Sequence, residues 1–103
     1  MRLIYHPDAE TELIEAAQFY DRRVSTLGSQ FLDAVDIANG VILNDPERWS
    51  VIEADVRRYL MPRFPYALYY RVHSDNIRIL AFKHNSRHPD YWRYRSSDQN
   101  TQT

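Results

Sequence analysis

The amino-acid sequence predicts an α+β domain in which two helices pack on one face of an antiparallel sheet. Apolar residues recur at helical spacing in the first part of the chain, up to residue 46, and at alternate positions from residue 56 to residue 84. Helices that precede a run of strands are typical of a two-layer sandwich, in which the helices are segregated on one face of the sheet.

The chain is predicted to begin with a short strand that leads directly into a helix. The stretch 2–6, "RLIYH", is rich in residues that favour strands. Pro7 suits the first position of a helix, and Asp8 and Glu10 suit the positive end of the helix dipole. An apolar stripe at helical spacing then continues to about Val24, which predicts an amphipathic helix. The stripe consists of Ala9, Leu13, Ala16, Ala17 and Tyr20.

A second helix is predicted after the break "STLGS" at 25–29. Its apolar stripe consists of Phe31, Val35, Ala38 and Ile42. Gly40 lowers the helix propensity of this segment, and "NDP" at 44–46 ends it. Because the connection is short, the two helices are expected to form an antiparallel hairpin.

Alternating apolar residues then predict a meander of three antiparallel strands at 56–61, 66–72 and 76–84. If Val72 pairs with Ile77, one face is apolar and is expected to pack on the helices, while the other is basic, aromatic and points outward. The apolar face would carry Tyr66, Leu68, Tyr70, Val72, Ile77, Ile79 and Ala81. The outward face would carry Tyr69, Arg71, Arg78, Phe82 and His84.

The composition restricts the possible functions. The chain has no cysteine, which excludes disulfides and thiolate metal sites and fits a reducing compartment. No apolar run approaches the roughly 20 residues needed to span a bilayer, so the protein is expected to be cytoplasmic. No motif indicates a cofactor. Residues 1–95 are expected to form one domain, and 96–103, "SSDQNTQT", is predicted to be a disordered tail because it lacks apolar residues.

The net charge of −1 hides an asymmetry between the two halves. Residues 1–50 contain four arginines and nine acidic residues, a balance of −5, whereas residues 51–103 contain nine basic and five acidic residues, a balance of +4. A cationic second half predicts an anionic partner, either nucleic acid or an acidic protein segment. Arg71 and Arg78 would lie side by side on the outward face, joined by Arg57 or Arg58, as a cationic wall for phosphates or carboxylates.

The segment after the last strand is the second candidate site. It contains His84, Arg87, His88, Tyr91 and Trp92. Metal-free RNA cleavage requires a base, a cation that stabilises the phosphate charge and an acid. His84 as base, Arg87 as phosphate stabiliser and Tyr91 as acid or stacking platform would supply these groups. An alternative is a polar strand end that Tyr91 and Trp92 cover as a lid. No metal site is expected, because His84 and His88 lack further ligands.

Several short motifs occur in an order that is similar to a known family. They are "IYHPDAETELIEAAQFY", "GSQFLDAV", "NDPERW" and "RRYLMPRFPYALYYRV…NIRILAFKHNSRHPDYW". This sequence resembles the RelE/ParE superfamily of toxins from type II toxin–antitoxin modules, often described as plasmid stabilisation proteins, over residues 2 to 93. The resemblance implies the strand, helical hairpin and antiparallel sheet. It also implies a cognate antitoxin that masks the active surface in a hetero-oligomer.

The resemblance further implies one of two activities. RelE-like members cut messenger RNA in the ribosome, whereas ParE-like members bind DNA gyrase without being nucleases. RelE-like nucleases carry an arginine just before the "L-V-Y" of the middle strand, where this chain has Ala67, while "RFPY" and "HNSRHP" look ParE-like. We therefore expect a growth-inhibiting, ParE-like toxin. Its target- or antitoxin-binding residues would be Arg58, Arg71, Arg78, His84, Arg87, His88, Tyr91 and Trp92. The alternatives are a ribosome-dependent endoribonuclease, with His84, Arg87 and Tyr91 as catalytic residues, and a non-toxic binding module of the same fold.

Overall fold

The computed structural model describes residues 1–96 and shows a five-stranded mixed sheet with two helices on one face. The elements in chain order are β1 (Arg2–Tyr5), α1 (Pro7–Arg23), α2 (Leu27–Asn44), β2 (Val51–Glu53), β3 (Val56–Leu60), β4 (Tyr66–Val72) and β5 (Asn76–His84). Their order across the sheet is β1-β5-β4-β3-β2. Strand β1 runs parallel to β5, and the other neighbours are antiparallel. The predicted α+β class and the order of strand, helical hairpin and sheet are confirmed.

Helix α1 begins where the sequence predicts. Pro7 is its first residue, and Nδ1 of His6 accepts a hydrogen bond of 3.1 Å from the backbone N–H of Asp8. This bond satisfies one of the free donors in the first helical turn. Helix α2 begins at Leu27, within the stretch that was predicted to separate the helices, because Gly28 belongs to the helix and lies against α1.

Strand β2 was not predicted. It pairs with β3 through Val51 and Arg57, and through Glu53 and Val56. Ala54, in the tight connection between the two strands, has a φ angle of 51°, a left-handed conformation that such turns require. A strand of three residues is too short to show an alternating pattern, and β2 therefore could not be predicted from periodicity.

A β-bulge in β5 changes which residues share a face. The predicted pair of Val72 and Ile77 is confirmed, but the register shifts after Tyr70 and Ile79, so that Tyr69 pairs with Ala81. The extra residue is Leu80, and it reverses the alternation beyond it. The predicted faces of Ala81, Phe82 and His84 are therefore wrong. Ala81 packs on the outward face, Phe82 lies in the core beneath the helices, and the His84 ring lies 5.0 Å from the Tyr66 ring on the helix side.

The main core lies between the sheet and the helical hairpin. Phe31 of α2 is fully buried at its centre, and four aromatic rings lie within 5.6 Å of the Phe31 ring, centroid to centroid. These rings belong to Tyr20, Phe64, Tyr66 and Phe82. Most of the contacts are edge-to-face, the geometry that aromatic quadrupoles favour.

A second, smaller core covers the outward face of the sheet. Its buried residues are Val56, Ala67, Tyr69, Leu80, Ala81 and Trp92. Trp92 belongs to the C-terminal segment, residues 85–96, and is only 2% exposed, with its ring 5.2 Å from the Tyr69 ring. The indole Nε1–H donates a hydrogen bond to the carbonyl of Pro89. The prediction of an open outward face is therefore corrected: the C-terminal segment covers the centre of that face.

Ser96 is the last residue whose structure is described. It ends a helical turn at 93–96, and its hydroxyl oxygen accepts a hydrogen bond of 3.2 Å from Arg71. The predicted disordered tail, 96–103, otherwise lies outside the described residues. Neither helix of the described chain is long and apolar enough to cross a membrane.

The two glycines of α2 should respond in opposite ways to alanine. A Cβ at Gly28 would lie 2.8 Å from the carbonyl oxygen of Ala17 and 2.8 Å from Oδ1 of Asp21, whereas a Cβ at Gly40 meets nothing within 4 Å. Gly28→Ala should lower the free energy of unfolding by about 1–3 kcal/mol because it separates the helices. Gly40→Ala should raise it by about 0.5–1 kcal/mol through higher helix propensity. Urea unfolding of both variants tests this pair, and a stabilising Gly28→Ala would contradict the close packing.

Candidate functional site

A buried carboxylate on α1 organises the region around the C-terminal segment. The side chain of Glu12 is 9% exposed and accepts hydrogen bonds from the Phe82 backbone N–H at 3.1 Å and from Arg87 at 3.0 Å. It also accepts one from Arg95 at 2.8 Å, whose side chain is 5% exposed. Charge-assisted bonds in a partly water-excluded site are stronger than neutral ones. Glu12 therefore joins a helix, a strand and the C-terminal segment at one point.

The same group of residues completes the edge of β5. Strand β1 pairs with β5 only as far as Ile79, so the backbone from Leu80 onward has no strand on that side. Arg95 donates a hydrogen bond of 3.0 Å to the carbonyl of Leu80, and Glu12 accepts one from Phe82. These side chains satisfy backbone groups that a neighbouring strand would otherwise pair.

Further contacts fix the C-terminal segment along its length. The Arg87 guanidinium lies 3.8 Å from the centre of the Tyr91 ring, a cation–π contact. Arg93 forms a bidentate ion pair with Glu53 of β2, and the Tyr94 hydroxyl donates to the carboxylate of Asp8. The segment is therefore attached to α1, to the outward face and to the far edge of the sheet.

The predicted cationic wall is present but partly neutralised. Arg71 and Arg78 are cross-strand partners, and Arg58, which pairs with Tyr69, lies on the same face. Arg71 forms an ion pair of 2.9 Å with Asp55, and its guanidinium lowers the pKa of the Asp55 carboxyl. Within residues 1–96, neither Arg58 nor Arg78 has a carboxylate partner.

His84 is held by its own turn. Its Nδ1 accepts a hydrogen bond of 3.0 Å from the Ser86 backbone N–H and lies 2.7 Å from the Ser86 hydroxyl oxygen. Because a backbone N–H is always the donor, the neutral imidazole carries its proton on Nε2. Neither nitrogen of His84 is then free to accept a proton from a substrate in this conformation. His88 is exposed, and its Nδ1 accepts a bond from the Asp90 backbone N–H.

Tyr91 is poorly suited to donate a proton. Burial raises the pKa of its hydroxyl above the ordinary value, and the nearby Glu12 carboxylate raises it further. The hydroxyl oxygen is buried and has no hydrogen-bond partner in the described part of the chain. Trp92, also predicted as a binding residue, is buried in the second core.

Lys83 was missed by the sequence analysis. It is the cross-strand partner of Ala67, so it supplies a cation on the part of the outward face where RelE-like nucleases are expected to carry an arginine. Its Nζ donates to the His84 carbonyl at 3.0 Å. Burial lowers the pKa of Lys83, and the charges of Arg58 and Arg87 lower it further. The sequence signal for Lys83 was its place opposite the small residue Ala67 of β4.

A groove of about 300 Å³ lies between α2 and the end of β3. It is lined by Gln30, Asp33, Ala34, Ile37, Tyr59, Met61, Pro62 and Arg63. Ile37 is 68% exposed. Leu60 of β3, which lies between the lining residues Tyr59 and Met61 in the sequence, is also exposed. Strand β2 pairs with β3 only as far as Arg57, which leaves 58–60 at an open edge. Ile37 lies off the apolar stripe of α2, and this was the sequence signal for an uncovered apolar surface.

No cluster of three or more histidine, aspartate or glutamate side chains that could hold a metal ion occurs in residues 1–96.

Comparison with protein families gives a match over residues 3–89 to the ParE toxin of the type II toxin–antitoxin system parDE. The chain belongs to the ParE toxin family. Among solved structures, it is similar to a chain of the chromosomal ParDE toxin–antitoxin system from P. aeruginosa, with a TM-score of 0.63 and 20% sequence identity. The match covers 82% of this chain and 95% of that chain. Curated protein sequences give no match. The predicted superfamily and its ParE-like branch are confirmed.

In this ParE-family chain, the Glu12 cluster should contribute strongly to stability. Glu12→Ala leaves buried Arg95 with only the half-exposed Asp8 carboxylate among the described residues, 3.8 Å from its Nε, so the free energy of unfolding should fall by about 3–5 kcal/mol. Glu15→Ala, one helical turn further on and exposed, should change it by no more than about 0.5 kcal/mol. Urea unfolding measures both values. The double variant Glu12→Leu, Arg95→Met removes both charges and should recover part of the loss; equal effects of Glu12→Ala and Glu15→Ala would contradict this assignment.

Proposed function

We propose that this ParE-family protein acts in the cytoplasm, inhibits growth by binding DNA gyrase, and is neutralised by a cognate antitoxin. The observation that carries the proposal is the state of His84, Arg87 and Tyr91. Each is engaged within the fold: His84 with Ser86, Arg87 with Glu12, and Tyr91 beneath Arg87. Side chains fixed in this way suit a rigid binding surface, and the ParE-like resemblance implies DNA gyrase as the target.

The second candidate function is a metal-free endoribonuclease, and one observation favours it. Lys83 provides a cation opposite Ala67, so the missing arginine does not by itself remove all positive charge from that position. The remaining chemistry argues for the binding function. His84 offers no free nitrogen to act as a base, and the raised pKa of Tyr91 makes it a weaker acid.

The groove beside α2 is the surface that suits the antitoxin. It combines exposed apolar side chains, such as Ile37, with the open backbone edge at the end of β3. An extended or helical antitoxin segment that orders on binding would bury both features. The toxin and antitoxin would then form a hetero-oligomer in which the uncovered surface is removed from solvent.

Induction of the toxin without its antitoxin should stop DNA synthesis first. The measurement follows growth, cell shape and the incorporation of labelled precursors into DNA and into protein after induction in a bacterial host. Filamentous cells with early loss of DNA synthesis would support gyrase as the target. An early stop in protein synthesis would support the endoribonuclease instead, and undisturbed growth would support a non-toxic binding module.

The Tyr91→Phe variant separates the two toxin functions. It removes only a hydroxyl that has no hydrogen-bond partner among residues 1–96, so toxicity by binding should remain at the wild-type level. If Tyr91 is the general acid, the same change should reduce toxicity by the roughly 10²-fold or more in rate that acid catalysis contributes. Growth inhibition at matched expression is the readout, and Tyr59→Phe, on the opposite face of the sheet, serves as a control. Loss of toxicity in Tyr91→Phe alone would contradict the binding function.

A further inference from the structure

Three arginines lie on the outward face at the end of the sheet opposite the segment from His84 to Tyr91. Arg78 pairs with Arg71 on one side and with Ile4 on the other. Arg2 precedes Ile4 by two residues on β1, so alternation places it on the same face. From the spacing of strands and residues, the Cα atoms of Arg2 and Arg78 are about 8 Å apart.

The charges of these arginines are unevenly balanced. Arg71 is paired with Asp55, but its buried Nε has no hydrogen-bond acceptor in the described chain. Arg2 and Arg78 form no ion pair with any residue from 1 to 96. Like charges that face each other across two strands destabilise a sheet unless an anion offsets them. Asp55 offsets the charge of Arg71, whereas Arg78 has no such partner within residues 1–96, so Arg78 is the member of the pair that can take up an anion.

A shallow cavity of about 320 Å³ opens beside Arg78. It is lined by Ile4, His73, Ser74, Asp75, Asn76 and Arg78, and its surface is mainly polar. An arginine fork, an imidazole and a hydroxyl are donors that bind phosphate oxygens. Asp75 is the acidic exception, and its carboxylate accepts a hydrogen bond of 2.8 Å from the Asn76 side chain.

We propose that this cavity, the Arg78 site, binds a phosphate group in the backbone of a nucleic acid, with Arg2 contacting a second phosphate of the same backbone. An acidic peptide fits less well, because Ile4 is the one apolar residue among the described residues of the lining and offers little surface to neighbouring apolar side chains. Asp8 and Glu12 of α1 bind arginines and a tyrosine of the C-terminal segment, so their charges are engaged there rather than at Arg78. The Arg78 site lies apart from the groove beside α2 and does not depend on the proposed gyrase target.

The test is the salt dependence of binding to a short DNA duplex, measured by fluorescence anisotropy with the full chain. Each phosphate that a protein side chain neutralises contributes about −0.9 to the slope of log K against log salt concentration. Arg78→Gln and Arg2→Gln should each make the slope less negative by about 0.9, whatever the DNA sequence. Arg78→Lys should keep the wild-type slope because it keeps the charge.

Arg22→Gln provides the matched control. Arg22 is exposed on α1, in the opposite layer of the fold. Its substitution by Gln removes the same single positive charge and should leave the salt-dependence slope unchanged. An equal change of slope in Arg22→Gln would show that net charge alone is responsible and would overturn the site. An unchanged slope in Arg78→Gln would overturn it as well. Poly-glutamate that binds as tightly as DNA and depends equally on Arg78 would overturn the assignment of phosphate as the ligand.

Discussion

A single buried carboxylate links the layers of this ParE-family toxin. Glu12 lies on the inner side of α1. Its carboxylate oxygens accept hydrogen bonds from a backbone N–H of β5 and from two arginines of the C-terminal segment. If the carboxylate were absent, Arg95 would remain buried with only the half-exposed Asp8 carboxylate, 3.8 Å away, as a counter-ion in the described chain, which costs more than losing an exposed ion pair. The path of the C-terminal segment across the outward face, and the second core beneath Trp92, therefore depend on this interaction.

The regular elements of the fold follow from short-range patterns, and the sequence was sufficient to predict them. The stripes that end in Tyr20 and Ile42 require helices, and the pairing of Val72 with Ile77 follows from the turn that joins two alternating strands. The bulge at Leu80 could not be predicted, because one extra residue leaves the composition of a strand unchanged. The contact that Leu80 makes is also long-range: Arg95, 15 residues further along the chain, binds its carbonyl.

The candidate site was predicted less completely for a related reason. Alternation correctly placed Arg71 beside Arg78, whereas the covering role of Trp92 was only an alternative to its predicted role in binding. It did not show that Arg87 and Arg95 share one carboxylate, because Glu12 is 75 and 83 residues away from them in the sequence. Charge counts by halves suggested a cationic face, whereas the structure pairs acids of the first half and of the β2–β3 hairpin with arginines of the second.

These ion pairs differ in how much their loss would cost the fold. Arg93 and Glu53 are 52% and 40% exposed, and an ion pair between two exposed side chains contributes little to stability. Loss of the contact between Arg93 and Glu53 would therefore cost the fold little, whereas Arg87 is held by the buried Glu12. The ion pair of Arg95 is costly to lose, since its partner is buried and Arg95 also binds the Leu80 carbonyl. The C-terminal segment is thus held by the buried ion pair of Arg95 with Glu12 and by weaker ion pairs at the more exposed Arg87 and Arg93.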